Sequence, residues 1–206
     1  MKVFDNIELV DLGVYINRTL IFADFHIGYE ESLNKQGLMV PRFQFDEIMK
    51  RLGKIFSKLK GRKIDRIVVN GDLKHEFGKI SDQEWRNTLK LIDYFSGYCN
   101  EIILIKGNHD KIVEPIAKKR NVRVVEHYLI STINEKTIKK IAINNKTQKN
   151  IINKIKNNKS LKKNEIINDE KNRILVLHGD KIPKKELLKG VSTIVIGHEH
   201  PAVSVR

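Results

Sequence analysis

Five aliphatic or β-branched runs in this chain each end in a short polar motif. That repeated arrangement limits it to folds whose strands share one functional edge. TLIFA (residues 19–23) leads into Asp24-Phe25-His26, RIVVN (66–70) into Gly71-Asp72, and IILIK (102–106) into Gly107-Asn108-His109-Asp110. RILVL (173–177) leads into His178-Gly179-Asp180, and TIVI (193–196) into Gly197-His198-Glu199-His200. Short apolar runs bounded by turn signals predict buried strands. Polar groups at their ends fall where α/β folds build sites, on loops held by a rigid sheet.

The segments between these runs predict helices. Tyr29 to Gly37 reads as a short one. Pro41 precedes a longer one over about 42–60, whose apolar face carries Phe45, Ile48, Met49, Leu52, Ile55, Phe56 and Leu59 and which Gly61 stops. Ser81-Asp82-Gln83-Glu84 is a capping-box pattern, opening a helix that turns Trp85, Leu89, Ile92 and Phe95 inward. Further helices are expected near 111–119 and 184–189, and strands near 102–106, 122–126, 128–133, 174–177 and 193–197. At the N-terminus, Ile7, Leu9, Tyr15 and Ile16 flank the turn signal Asp11-Leu12-Gly13, which predicts hairpin-like strands and hence a mixed sheet. The fold class is α/β.

At 206 residues, one domain over 1–206 with a sizeable core is expected. There is no apolar run of about 18 residues, and acids occupy the place of a leader's apolar core. The single cysteine, Cys99, excludes an internal disulfide and fits a cytoplasmic location. The net charge of +14 suggests a polyanionic partner, but residues 131–172 carry eleven Lys against four acids, +7 of that total. This stretch (about 134–172), rich in Lys, Asn and Ile and lacking Pro and Gly, reads as a disordered insertion with no assigned role.

Singly the motifs are weak: Gly-Asp at a strand end is ordinarily a turn, and a lone His ordinarily a satisfied polar group. Together they supply a mixed carboxylate, amide and imidazole set, which suits manganese, iron, zinc or cobalt better than magnesium or calcium. The pattern D-x-H, G-D, G-N-H-D, a His, then G-H-x-H resembles the calcineurin-like metallophosphoesterases from Asp24 to His200. The resemblance implies a four-layered α/β/β/α sandwich and two divalent metal ions, manganese first, with iron, zinc, cobalt or nickel as alternatives. Asp24, His26 and His200 would hold the first and Asn108, His178 and His198 the second, with Asp72 bridging. The implied reaction is in-line attack on phosphorus by a metal-bridging hydroxide. His109 would act on the leaving oxygen as general acid, its ring oriented by Asp110.

Many members of that family continue the second motif as G-D-x-x-D-R, whereas this chain reads Gly71-Asp72-Leu73-Lys74-His75-Glu76-Phe77. The missing Arg argues against a protein Ser/Thr phosphatase and leaves Lys74 and His75 as candidate substrate contacts. DFHIGYEESLNKQGLMVPR and GDLKHEFG are similar to a narrower group, archaeal phosphoesterases related to the DNA-ligase-associated repair phosphoesterases. In this stretch Gly28 frees the backbone, and Glu30, one turn beyond His26, is a candidate to support it. The chain ends six residues after His200, where the family adds strands: either PAVSVR suffices or C-terminal strands are missing. The expected function is phosphoester hydrolysis, a phosphodiester before a monoester, with DNA, RNA or a nucleotide as candidate substrate. A non-catalytic interaction scaffold on the same fold and a phosphomonoesterase are the alternatives.

Overall fold

β4 (Thr19–Phe22), β5 (Arg66–Asn70) and β6 (Glu101–Ile105) are the centre of the fold, buried along nearly their whole length, as apolar runs covered on both faces should be. The computed structural model describes residues 1–4, 6–131 and 173–199. The 134–172 insertion, His200 and the PAVSVR tail therefore lie outside the described residues. β1 (Lys2–Phe4), β2 (Ile7–Val10), β3 (Gly13–Ile16) and β4 form an antiparallel meander. From β4 the sheet continues in parallel through β5, β6 and β7 (Arg123–Val125), giving seven strands in sequence order. The mixed sheet expected from the N-terminal hairpins is present.

The parallel pairs are joined through helices: α1 (Tyr29–Lys35) and α2 (Gln44–Lys58), then α3 (Asp82–Ser96), then α4 (Glu114–Lys119). One face of the sheet offers Leu20, Phe22, Ile67, Val69 and Leu104 to a core with Leu52, Ile55, Phe56, Leu59, Leu91 and Phe95. Each such side chain contributes about 1.5–3 kcal/mol by leaving water. Phe22 and Phe95 stack there at 5.5 Å. α3 starts with the expected capping box, Ser81 accepting from the Glu84 N–H while the Glu84 carboxylate accepts from the Ser81 N–H. Its buried face differs from the expected one. Glu84, Thr88, Leu91, Ile92 and Phe95 are buried, while Trp85 and Leu89 pack on the core's margin. This face carries the Glu84 carboxylate inward to backbone donors described below.

Among the described residues, those up to 128, 176–183 and 195–199 form one compact unit, and 129–131, 173–175 and 184–194 form a second. A separate three-stranded sheet orders β10 (Val191–Ile196), β9 (Arg173–Leu177) and β8 (His127–Ser131). The brief helix expected after Lys184 is a 3-10 turn, Lys185–Leu188. No helix among the described residues is long and apolar enough to cross a membrane. Cys99 is half-buried with Sγ near the Phe95 and Glu101 carbonyls, and burial pushes its thiol up, as befits an inert packing residue.

Candidate metal centre

Strand register determines which loop residues meet. Phe22 pairs with Val69, and Val69 with Leu104. Continued past the strand ends, this puts Asp24 beside Gly71 and Asp72 beside Gly107. The loops after β4 and β5 stay paired: the N–H groups of Asp24, His26 and Ile27 donate to the carbonyls of Gly71, Asp72 and Leu73 at 3.2, 2.9 and 3.1 Å. To turn side chains off the sheet edge, the backbone enters the left-handed region at Asp24 (φ 53°), His26 (44°), Asp72 (47°) and His198 (66°). Positive φ is costly for a residue with a Cβ and marks sites where the surroundings enforce it. Asp11, Asn17, Arg18 and Asn121, the other such residues described, sit in turns or beside them. Two glycines make room: a Cβ at Gly71 would strike the His178 imidazole, and one at Gly107 would strike Asp72.

Two groups of ligand atoms result, Asp24 with His26 and Asp72, and Asp72 with His178 and His198, the atoms in each within 4.8 Å of one another. Asp72 belongs to both. Its Oδ2 lies 3.7 Å from His26 Nε2, and its Oδ1 lies 3.4 Å from His178 Nε2. His178 Nδ1 meets the Asn70 carbonyl at 3.2 Å, and since a carbonyl only accepts, Nδ1 carries the proton. Its Nε2 then faces Asn108 Oδ1 at 3.1 Å. Two lone pairs so placed need a cation between them: a proton on Nε2 serves when no metal is bound, and a divalent metal fits this donor set. His198 Nδ1 is likewise buried with no hydrogen-bond partner among the described residues. Its backbone N–H donates to Asp24 at 3.1–3.2 Å, which carries the fifth loop onto the first.

Burial alone would raise the Asp72 carboxyl. Hydrogen bonds from His178 and the His109 N–H, with the charge of both imidazoles, outweigh it and hold the group down at about 2. The same pairing raises the His178 imidazole against its own burial. His75 goes the other way: burial and the neighbouring His109 push it below the usual histidine range.

His109 is beside this centre, its Nε2 4.0 Å from Asp72 Oδ2. Its ring partner is not Asp110, which corrects the expectation from sequence. His109 Nδ1 donates to the His75 carbonyl. The buried Asp110 carboxylate accepts instead from the N–H groups of Leu73 (3.2 Å), Lys74 (3.3 Å) and Gly107 (3.2 Å). It joins the loops after β5 and β6 and does not touch the reacting edge. Burial pushes its carboxyl up, the three donors notwithstanding. Lys74 is a second correction. It is 0% exposed, with Nζ on the Glu76 carbonyl, so it offers no surface to a substrate. His75 remains half-buried beside His26 and His109.

Two acids support the site through contacts that the sequence pattern did not reveal. Glu84, also fully buried, accepts from the N–H groups of His75 (3.1 Å) and Glu76 (2.8 Å), fixing the loop that presents His75. Gly28, at φ 95°, approaches so near that a Cβ there would strike the Glu84 side chain. Glu30 reaches the His26 loop through a neighbour. Its carboxylate accepts from the N–H groups of Phe43 and Gln44 at 3.0–3.1 Å, capping α2, which has no cap of its own. Gln44 Nε2 in turn donates to the His26 carbonyl at 3.1 Å.

A model of the calcineurin-like phosphoesterase family matches residues 17–202. Among solved structures, the Pseudomonas putida nuclease MPE is similar at 21% identity with a TM-score of 0.40, over 57% of this chain and 52% of that one. The chain thus spans about half the length of that relative. No curated protein matches it.

Proposed function

The chain belongs to the calcineurin-like phosphoesterase family, and on that premise we propose that it hydrolyses phosphodiesters, with a nucleotide or nucleic acid as substrate. The observation that carries this reading is a buried carboxylate, Asp72, shared by two ligand groups and facing His109 at 4.0 Å. The described residues fit a pair of divalent cations, manganese foremost: Asp24 and His26 for one, Asn108, His178 and His198 for the other, Asp72 between, with His200, outside the described residues, as the ligand the motif adds to the first. Bound there, they would lower the pKa of water and neutralise charge on phosphoryl oxygens. The chain's own groups do the rest. With Nδ1 committed to the His75 carbonyl, His109 exchanges its Nε2 proton with the leaving oxygen. A diester carries a single negative charge and needs no guanidinium fork, which agrees with the absence of the family's Arg, at whose place Glu76 stands. The stretches DFHIGYEESLNKQGLMVPR and GDLKHEFG favour the archaeal group related to DNA-ligase-associated phosphoesterases.

The test is manganese-supplemented turnover on bis-p-nitrophenyl phosphate, p-nitrophenyl phosphate, cyclic nucleotides, and single- and double-stranded DNA and RNA. Diesters should be cleaved faster than the monoester, and Asp72→Asn should be inactive. His109→Ala should keep its metal, measured by dialysis, while kcat falls by roughly 10²–10⁴. Metal-loaded wild-type protein inert on every substrate would favour the interaction scaffold. Loss of metal from His109→Ala would make that histidine a ligand.

A further inference from the structure

Three imidazoles stand together on the side of the centre away from His178 and His198. His26, His75 and His109 have ligand atoms within 4.8 Å of one another. Their ring centroids form a near-equilateral triangle, 5.5 Å from His26 to His75, 4.9 Å from His26 to His109, and 5.2 Å from His75 to His109. A tetrahedral zinc held by three imidazoles at about 2.0–2.1 Å places their centroids about 5.2 Å apart. The rings already have the spacing of a three-histidine site.

The donor atoms agree with the spacing. His75 Nδ1 is buried without a hydrogen-bond partner among the described residues, so nothing competes for it. His109 has Nδ1 on the His75 carbonyl, which leaves Nε2 as its ligating atom. Phe77 lies over the His109 ring at 3.7 Å and Tyr29 meets the His75 ring edge-on at 4.9 Å, so aromatic walls hold both imidazoles in place. Glu84 fixes the backbone of His75 through its N–H. Asp72 belongs to both of the other ligand groups and is not a member of this one, although its Oδ2 lies 3.7 Å from His26 Nε2 and 4.0 Å from His109 Nε2.

We propose that His26, His75 and His109 form a further cation site, selective for an imidazole-seeking ion such as Zn²⁺. All-nitrogen donors favour zinc over manganese, whose ligands are mainly oxygen. His26 serves this group and the Asp24 group alike, so filling one draws a ligand from the other. Binding displaces the Nε2 proton of His109 to solvent. If the proposed hydrolysis holds, that removes the leaving-group acid, and zinc at this position switches turnover off.

The test reads binding, so it stands whether or not any phosphoester is cleaved. Asp72→Asn takes the shared carboxylate from both other groups and leaves the three histidines whole. Dialysed against Zn²⁺, that full-length variant should retain about one equivalent, bound through nitrogen donors by X-ray absorption. Asp72→Asn/His75→Gln should retain none, with circular dichroism confirming that both variants are folded. Failure of Asp72→Asn to bind, or retention by the double variant, overturns the proposal. Should Asp72→Asn not fold, wild-type protein labelled with ¹⁵N-histidine decides: Zn²⁺ must shift the His75 imidazole signals, and unmoved signals overturn it equally.

Discussion

Gly71 is the residue on which the centre's geometry depends most directly. At φ 79° it turns the chain off β5, and its missing Cβ is the space the His178 imidazole fills. Gly71→Ala should therefore cost about 1–3 kcal/mol for the left-handed backbone and also displace a metal ligand. Gly61→Ala separates the two effects, because Gly61 has φ 83° and nothing within 4 Å of a Cβ. Denaturant melts should show both variants destabilised, while only Gly71→Ala loses metal by dialysis. Equal metal retention would mean that the ring moves aside at no cost. At this scale the sequence was legible as residue types: Asp24, His26, Asp72, Asn108, His109, His178 and His198 are brought to one edge in the described residues. Direction was not legible. Asp110 follows His109 in sequence yet points to backbone donors, and Lys74 follows the site motif yet is buried. Adjacent positions in a loop do not share a side-chain direction, and no periodicity reveals it.

At the scale of elements, three acids do the joining: Asp110 ties the β5 and β6 loops, Glu84 ties α3 to the loop after β5, and Glu30 ties α1 to α2. The capping box made Glu84's local role legible, since Ser81 to Glu84 is a spacing with its own hydrogen bonds. Its second role depends on backbone donors eight and nine residues back, which spacing does not encode. Asp110→Ala isolates such a joint. It strands three buried N–H donors at about 1–3 kcal/mol each, so denaturant unfolding should show a loss of about 3 kcal/mol or more. Turnover should fall as the loops separate, with the pH profile of the residual kcat unchanged. A shift in the limb belonging to His109 would return Asp110 to the role of orienting that ring. Asp110→Asn, keeping one acceptor oxygen, should be less destabilising.

For the whole molecule the question is how charge is divided from chemistry. The described members of the centre belong to one compact unit. Half of the net charge of +14 is carried by residues 131–172, between β8 and β9. The alternation of apolar runs and amphipathic helices made the α/β class legible, because both periods are written into side chains. The split of strands between two sheets was less legible, since it depends on pairing between distant segments. Charge and chemistry separate if residues 134–171 are replaced by an uncharged Gly/Ser/Gln segment of equal length. Turnover on bis-p-nitrophenyl phosphate should stay within about twofold, because a small diester is bound by the groups of the centre itself. Affinity for a single-stranded oligonucleotide should fall, and the slope of log K against log salt should flatten by about 0.7 for each phosphate that the insertion's lysines had neutralised. An unchanged slope would show that the remaining +7 carries all the attraction to polyanions, and a collapse of small-diester turnover would draw the insertion into the site itself.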